Sequence, residues 1–418
     1  MHTITIVTDF FAPLARSQAA ALGSKDLSLL VIPHPLGGLK GPEVLELGNV
    51  AFEKLLNSTR ESDAEKGAHP GLDEMPVEES LSFAGAQEAY DCFNRRGWTD
   101  GLPIVLPTER LVETFLERID KEPEDTLGIM PPRWAQVTFK KIAINAAMAG
   151  CLPEYFPVIL SAVEATLDEN FNLNAIQTTT HPCAVMLIIN GPVRKELNIN
   201  AKHNCFGQGC RANATIGRAV RLVLLNVGGG IPGSMDKATM GHPGKYSYCV
   251  AENQEESPWS SFHVEKGYSP DASTVTVVAA EPPHNINDHG SVSAEGILTT
   301  VAGTMATTGN NNLYNCADTF VFFGPEHAAT IARDGYGKDD VRRFLFERAR
   351  IPVSRMSQKQ LEHIQAMLRD PSGFIDENRT IGICREMSDL HILVSGGAGK
   401  HSAWVPTFGF SYSATRTV

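Results

Sequence analysis

The apolar positions of this chain fall into short blocks whose spacing changes from element to element. The β-branched run 3–7 reads as a strand, and 27–32 is continuously apolar, as a strand buried on both faces is. Between them, 14–22 has helical composition and stops at Gly23, and 42–56 reads as a second helix. The result is a βαβα fragment whose two strands run parallel through a right-handed crossover. Two strands do not make a stable open sheet, so they must join another sheet or another subunit. The stretch 58–83 is polar, without hydrophobic periodicity, and reads as a linker.

A larger unit, 84–418, follows. Helices are predicted at 84–96, 108–120, 139–149, 153–167, 214–226, 293–307, 326–332, 339–349 and 358–368. Strands are predicted at 183–190, 274–280, 319–323 and 391–394, and the tail 391–418 is expected to pack back on the first unit. No internal repeat is visible. The interleaving of strands and helices gives an α/β or α+β class: a partial βαβα unit joined to a large mixed domain.

Composition narrows the function. The net charge is −12 and no basic cluster exceeds a pair such as Lys140-Lys141, which argues against nucleic acid or an anionic membrane as partner. No apolar run is long enough to span a membrane, and the start lacks the basic, uninterrupted apolar character of a secretory signal. Eight cysteines with no C-x-x-C spacing make neither a disulfide framework nor a zinc ribbon, so a reducing, cytoplasmic setting and a soluble protein are expected.

Candidate chemistry concentrates in 203–245. Cys205 and Cys210 flank glycines just before a helix that carries Arg211 and Arg218. A helix start favours anions and thiolates, and arginine forks suit a carboxylate or phosphate. Cys205 is therefore a candidate nucleophile or redox thiol, with Arg211 and Arg218 binding substrate; the alternative is a small buried residue in a tight loop. The long glycine loop after that helix adds His242 as a proton carrier and Lys245 as a substrate contact, and it matches no phosphate-binding motif. After the strand 274–280, His284 and His289 are candidate acid–base residues, or metal ligands with Asp288; no known zinc spacing is present, so no metal is assigned. Near the end, Gly399-Lys400-His401 lacks the first glycine of a P-loop, leaving Lys400 and His401 as anion contacts in a backbone nest. His181, two residues before Cys183, reads first as a satisfied core histidine. Arg95, Arg96, Trp98 and Asp100 form a polar turn placed to face a pocket.

The segments Thr8-Asp9-Phe10-Phe11-Ala12-Pro13 and Val31-Ile32-Pro33-His34-Pro35-Leu36-Gly37-Gly38 resemble the second half of the UGSC-like family. So does the ending Gly399-Lys400-His401-Ser402-Ala403-Trp404-Val405-Pro406-Thr407-Phe408-Gly409, while Phe93-Asn94-Arg95-Arg96-Gly97-Trp98-Thr99-Asp100-Gly101 resembles the large region of longer relatives. That family is named for a selenocysteine-or-cysteine, Gly, Ser, Cys motif in a small α/β domain. No Cys-Gly-Ser-Cys occurs here, so no redox residue carries over. Either the chain is truncated, a partner supplies the other half-domain, or the protein works without that centre.

These readings lead to an enzyme acting on a small anionic or sulfur-containing metabolite. The resemblance tilts it towards an oxidoreductase using Cys205. The alternatives are a lyase or hydrolase using histidine acid–base chemistry, and a non-catalytic substrate-binding subunit that docks a redox partner. A homo-oligomer is also open, and no cofactor is indicated.

Overall fold

The apolar run that ends at Asn190 forms the strand Ala184–Asn190, buried along nearly all its length. The computed structural model describes residues 4–34, 36, 39, 41–60, 80–315, 317–368 and 375–418, without the side chains of 57–60 and 315. Around Ala184–Asn190 stands a four-stranded sheet in the order Ala414–Thr417, Thr274–Ala280, Ala184–Asn190, Cys249–Ala251. Its contacts are antiparallel, antiparallel and parallel. A second sheet runs His284–Asn287, His401–Val405, Thr319–Phe323, Leu390–Val394, and its contacts repeat that pattern.

Side chains alternate across a strand, so each sheet offers two faces. Met186, Ile188 and Val278 of the first sheet pack against Phe320, Phe322 and Leu393 of the second. The outer face of the first, with Leu187, Ile189, Val275 and Val277, joins a core built with helices Phe139–Ala149, Phe156–Thr166 and Arg211–Asn226. The outer face of the second, with Val321, Phe323, Ile392 and Trp404, joins a core with Ala294–Met305, Pro325–Arg333 and Lys338–Arg348. The layers are helix, sheet, sheet, helix, within the α/β or α+β class expected from the interleaved pattern.

The two halves of this unit share one topology. To the two central sheets each supplies a strand, a parallel strand reached through helices, and two further strands; the second half adds the ribbon Arg350–Pro352 with Thr380–Gly382. The last strand of each is exchanged. His284–Asn287 follows Thr274–Ala280 in the chain but joins the second sheet, and Ala414–Thr417 follows His401–Val405 but joins the first. Phe156–Thr166 packs on Thr274–Ala280 and Ala414–Thr417, as Ala294–Met305 packs on His401–Val405 and His284–Asn287. The repeat is invisible in the sequence because the halves share connectivity and not residues.

Local signals explain several boundaries. Thr138 accepts the Lys141 N–H to start Phe139–Ala149, and Gly150, at φ +84°, ends it in the left-handed region. Thr108 caps a helix that covers Glu109–Leu116, shorter than the predicted 108–120. The predicted helices 84–96 and 42–56 appear as Ala86–Arg95 and Gly41–Arg60. The strands Thr126–Met130, Ala135–Thr138, Cys249–Ala251, His284–Asn287 and Ala414–Thr417 were not anticipated. The tail 391–418, expected to pack back on the first unit, supplies strands to both central sheets.

At the other end, Ile4–Thr8 and Ser28–Ile32 pair in parallel around Ala12–Ala21. Among the described residues this sheet has two strands. It is tied to the large unit by Ser17 Oγ donating to Pro132 O (2.8 Å), by Gln18 Nε2 donating to Asn174 Oδ1 (3.1 Å), and by Lys237 Nζ 3.8 Å above the Phe10 ring. Ile6 and Phe52 are each 59% exposed. Most of the expected linker, 61–79, lies outside the described residues, as does part of the turn after Ile32. Among the described residues no helix is long and apolar enough to cross a membrane.

Candidate active site

The strand Thr274–Ala280 runs out at Glu281, next to the entry of its neighbour Ala184–Asn190, which is preceded by His181-Pro182-Cys183. Antiparallel pairing therefore brings residues 100 positions apart into contact: His181 Nε2–H donates to Glu281 Oε1 at 2.8 Å. His181 Nδ1 accepts the Cys183 N–H at 3.3 Å, which selects the neutral imidazole with its proton on Nε2. The Asn311 N–H reaches the same Glu281 oxygen at 3.4 Å. Glu281 Oε2 takes no hydrogen bond from the described residues. The His181 and Glu281 side chains are 12% and 19% exposed, so solvent reaches both.

A group of charges lies beside this pair. Arg221, in the middle of Arg211–Asn226, reaches Gln177 Oε1 (3.0 Å), Gly230 O (3.1 Å) and Asp236 Oδ2 (3.3 Å). Lys245 Nζ meets the same Asp236 oxygen at 2.6 Å, and Asp236 Oδ1 accepts the Ala238 N–H. All three side chains are largely buried, and two cations share the one Asp236 carboxylate, with the Glu281 carboxylate as the fourth charge of the neighbourhood. The glycine loop permits this arrangement: a Cβ on Gly230 would stand 2.5 Å from Gln177 Oε1.

His242 completes the cluster. Its Nδ1 accepts the Gly244 N–H at 3.1 Å and its Nε2–H donates to Ala280 O at 3.3 Å. Burial lowers its pKa, so the ring is neutral at neutral pH. It packs edge-on against Tyr248, whose hydroxyl donates to Glu281 O at 3.1 Å. These groups form one electrostatic neighbourhood. Lys245, Glu281 and His181 all act on His242, and Lys245, Asp236 and Glu281 all act on Cys183.

The residues singled out in the sequence are distributed unevenly. His242 and Lys245 lie in this cluster. Cys205 lies between the two sheets, 7% exposed, and burial pushes its thiol up to about 11, away from the thiolate. Arg211 donates twice to Gly150 O (3.1 and 2.9 Å). Arg218 forms a fork on Asp100 (2.7 and 2.8 Å) and donates to Pro103 O. Both guanidinium groups are thus engaged within the fold.

A second cluster forms at the far end of His284–Asn287. His289 Nε2 and His401 Nε2 stand 3.2 Å apart, His401 Nδ1–H donates to Asn285 Oδ1 (3.0 Å), and Lys400 Nζ donates to His289 O (3.1 Å). His284 is exposed, with its Nδ1–H on Asn285 O. The strand separates His289, Lys400 and His401 from Glu281, so His289, expected to share one site with Cys205, occupies another part of the surface. Among the described residues no three His, Cys, Asp or Glu side chains are placed to hold a metal ion.

Arg221, Asp236 and Glu281 were missed as site residues, and His181 was read as core. Glu281 carried one usable signal, an acidic residue ending a β-branched strand. Arg221 carried none, because a mid-helix arginine is ordinarily solvated.

Residues 1–60 match the UGSC family. The first unit is therefore UGSC-like. It holds no cysteine, and the match stops short of 93–101 and 399–409, where the resemblance was also read. No curated protein and no solved structure matches this chain.

Proposed function

We propose that this protein is an acid–base enzyme acting on a small anionic metabolite, with Glu281 as general base. The observation that carries this reading is the His181–Glu281 pair at 2.8 Å beside the Arg221–Asp236–Lys245 group. His181 and the Asn311 N–H hold one carboxylate oxygen and leave Oε2 open to take a proton. When Glu281 takes the proton its charge is lost, and the Arg221–Asp236–Lys245 group is left with one net positive charge, which stabilises negative charge that develops on the substrate. Neutral His242, with its ring nitrogens on Gly244 N–H and Ala280 O, adds no charge beside the pair. Proton removal from carbon would make the enzyme a lyase, and proton removal from water a hydrolase. A thiol mechanism at Cys205 is disfavoured by burial of its sulfur.

The test is proton exchange. The full-length protein is incubated in D2O with a panel of small oxo- and hydroxycarboxylates, and loss of the α-proton signal is followed by NMR. Exchange of at least one compound, lost in Glu281→Gln and slowed in His181→Gln, is expected. An exchange rate equal in wild type and Glu281→Gln would exclude Glu281 as base.

A docking role for the first unit rests on a separate observation, the exposed Ile6 on the two-stranded sheet and the exposed Phe52 on the helix Gly41–Arg60. Sizing chromatography alone and with a small α/β redox protein distinguishes it, and an unchanged elution volume would count against it.

A further inference from the structure

A cavity of about 940 Å³ opens between Ala86–Arg95, Phe139–Ala149 and the segments 80–83 and 106–110. It lies across the Asn226–Gly230 turn from the Arg221–Asp236 pair, since Asn226 and Val227 line it while Gly230 O binds Arg221. Its size is that of a small-molecule site. One wall is apolar: Phe83, Phe93, Trp98, Ile144 and Met148. Trp98 stands edge-on to Phe93, their centroids 5.2 Å apart, which keeps the aromatic wall rigid.

The charged part of the lining is cationic in balance. Arg110, Arg133 and Lys141 line the cavity with one carboxylate, Glu109. Arg133 is held in place by Nη1 donating to Asn226 O (3.2 Å) and by its backbone N–H on Gly228 O (2.8 Å). The chain at Gly229 has φ +76°, and a Cβ there would stand 2.9 Å from Arg133 Nε, so glycine at this turn lets the guanidinium lie against the backbone. Lys141 Nζ donates to Gln136 O at 2.9 Å and keeps further protons for a ligand. On the floor, Asn226 spends its amide hydrogens on Trp98 O and Asn145 Oδ1.

We propose that this cavity binds an amphipathic carboxylate of acyl or aryl type. The apolar body lies against Phe93, Trp98 and Met148, and the acid group meets Arg133 and Lys141. Neither cation belongs to the active-site cluster, so this site stands or falls independently of Glu281. The charge excess selects an anion, and the continuous aromatic and aliphatic wall selects against a fully polar metabolite.

The test titrates the full-length protein with sodium decanoate and with 1-decanol by calorimetry, below the aggregation concentration of either. Saturable one-to-one binding of decanoate is expected. In Arg133→Gln/Lys141→Gln, whose changes lie on exposed side chains, decanoate affinity falls at least tenfold and decanol affinity is unchanged. Ile144→Trp fills the space and removes both, with an unchanged circular dichroism spectrum as the control for folding. Non-saturable decanoate binding overturns the proposal, as does equal decanoate affinity in the wild type and the double variant.

Discussion

Arg218 grips Asp100 through two parallel hydrogen bonds, Nε to Oδ2 at 2.7 Å and Nη2 to Oδ1 at 2.8 Å. The pair joins the turn after Ala86–Arg95 to the helix Arg211–Asn226, with side chains 14% and 7% exposed. Removing one partner of such a buried pair leaves the other charge uncompensated, at a cost of about 3–5 kcal/mol. Asp100→Leu and Arg218→Met are each expected to lose stability in that range. Arg218→Met/Asp100→Leu should lose clearly less than the two single changes together. Urea denaturation of the four proteins measures this, and additive losses would show the pair to be uncoupled.

Thiol reactivity should follow burial and not proximity to glycine. Burial pushes the Cys205 thiol up to about 11 and those of Cys151 and Cys183 up to about 12. Cys92 and Cys210 are only half-buried. Alkylation of the folded protein at neutral pH, read by peptide mass spectrometry, should label Cys92 and Cys210 well before Cys205. Rapid labelling of Cys205 would restore it as a candidate nucleophile.

Two glycines should respond oppositely to alanine. At Gly230 the new Cβ meets Gln177 Oε1 and loosens the partner of Arg221, a crowding cost of about 1–3 kcal/mol. Gly303, inside Ala294–Met305, has nothing within 4 Å of an added Cβ. Gly303→Ala should stabilise by about 0.4–1 kcal/mol, chiefly by restricting the unfolded chain. Melting temperatures of the two variants provide the comparison, and a shift in the same direction for both would contradict it.

Acid should destabilise the fold through buried neutral histidines. His242, His263 and His327 all have pKa values lowered, chiefly by burial. The unfolded chain binds these protons first, at about pH 6.5. Their contribution to stability is therefore complete above that value and declines as pH falls through and below it. The denaturation midpoint should drop between pH 7.5 and 5.5, and His242→Gln should flatten the drop. An equal slope in that variant would assign the effect to the other histidines.

Much of the architecture could be read from local pattern. Runs such as 184–190 and 274–280 are apolar at nearly every position, as strands covered on both faces must be. The short strands were not legible. Cys249–Ala251 has three residues, and His284–Asn287 is mostly polar, so neither carries a period of its own. The site shows the same limit. His242 and Lys245 stand out in a long glycine loop, whereas Glu281 matters only because an antiparallel partner places His181 beside it. The neighbours of Cys205 suggest a helix-start thiolate, while its side chain turns in between the sheets, a burial that local pattern does not reveal.

The exchange of Ala414–Thr417 and His284–Asn287 between the two sheets has a consequence for synthesis on the ribosome. A strand translated late completes the sheet whose other members were made first, so the early half waits with an open edge beside Thr274–Ala280. A nascent chain stopped before residue 414 would expose that edge, and holdase chaperones that recognise unpaired strands should bind it more strongly than the released protein.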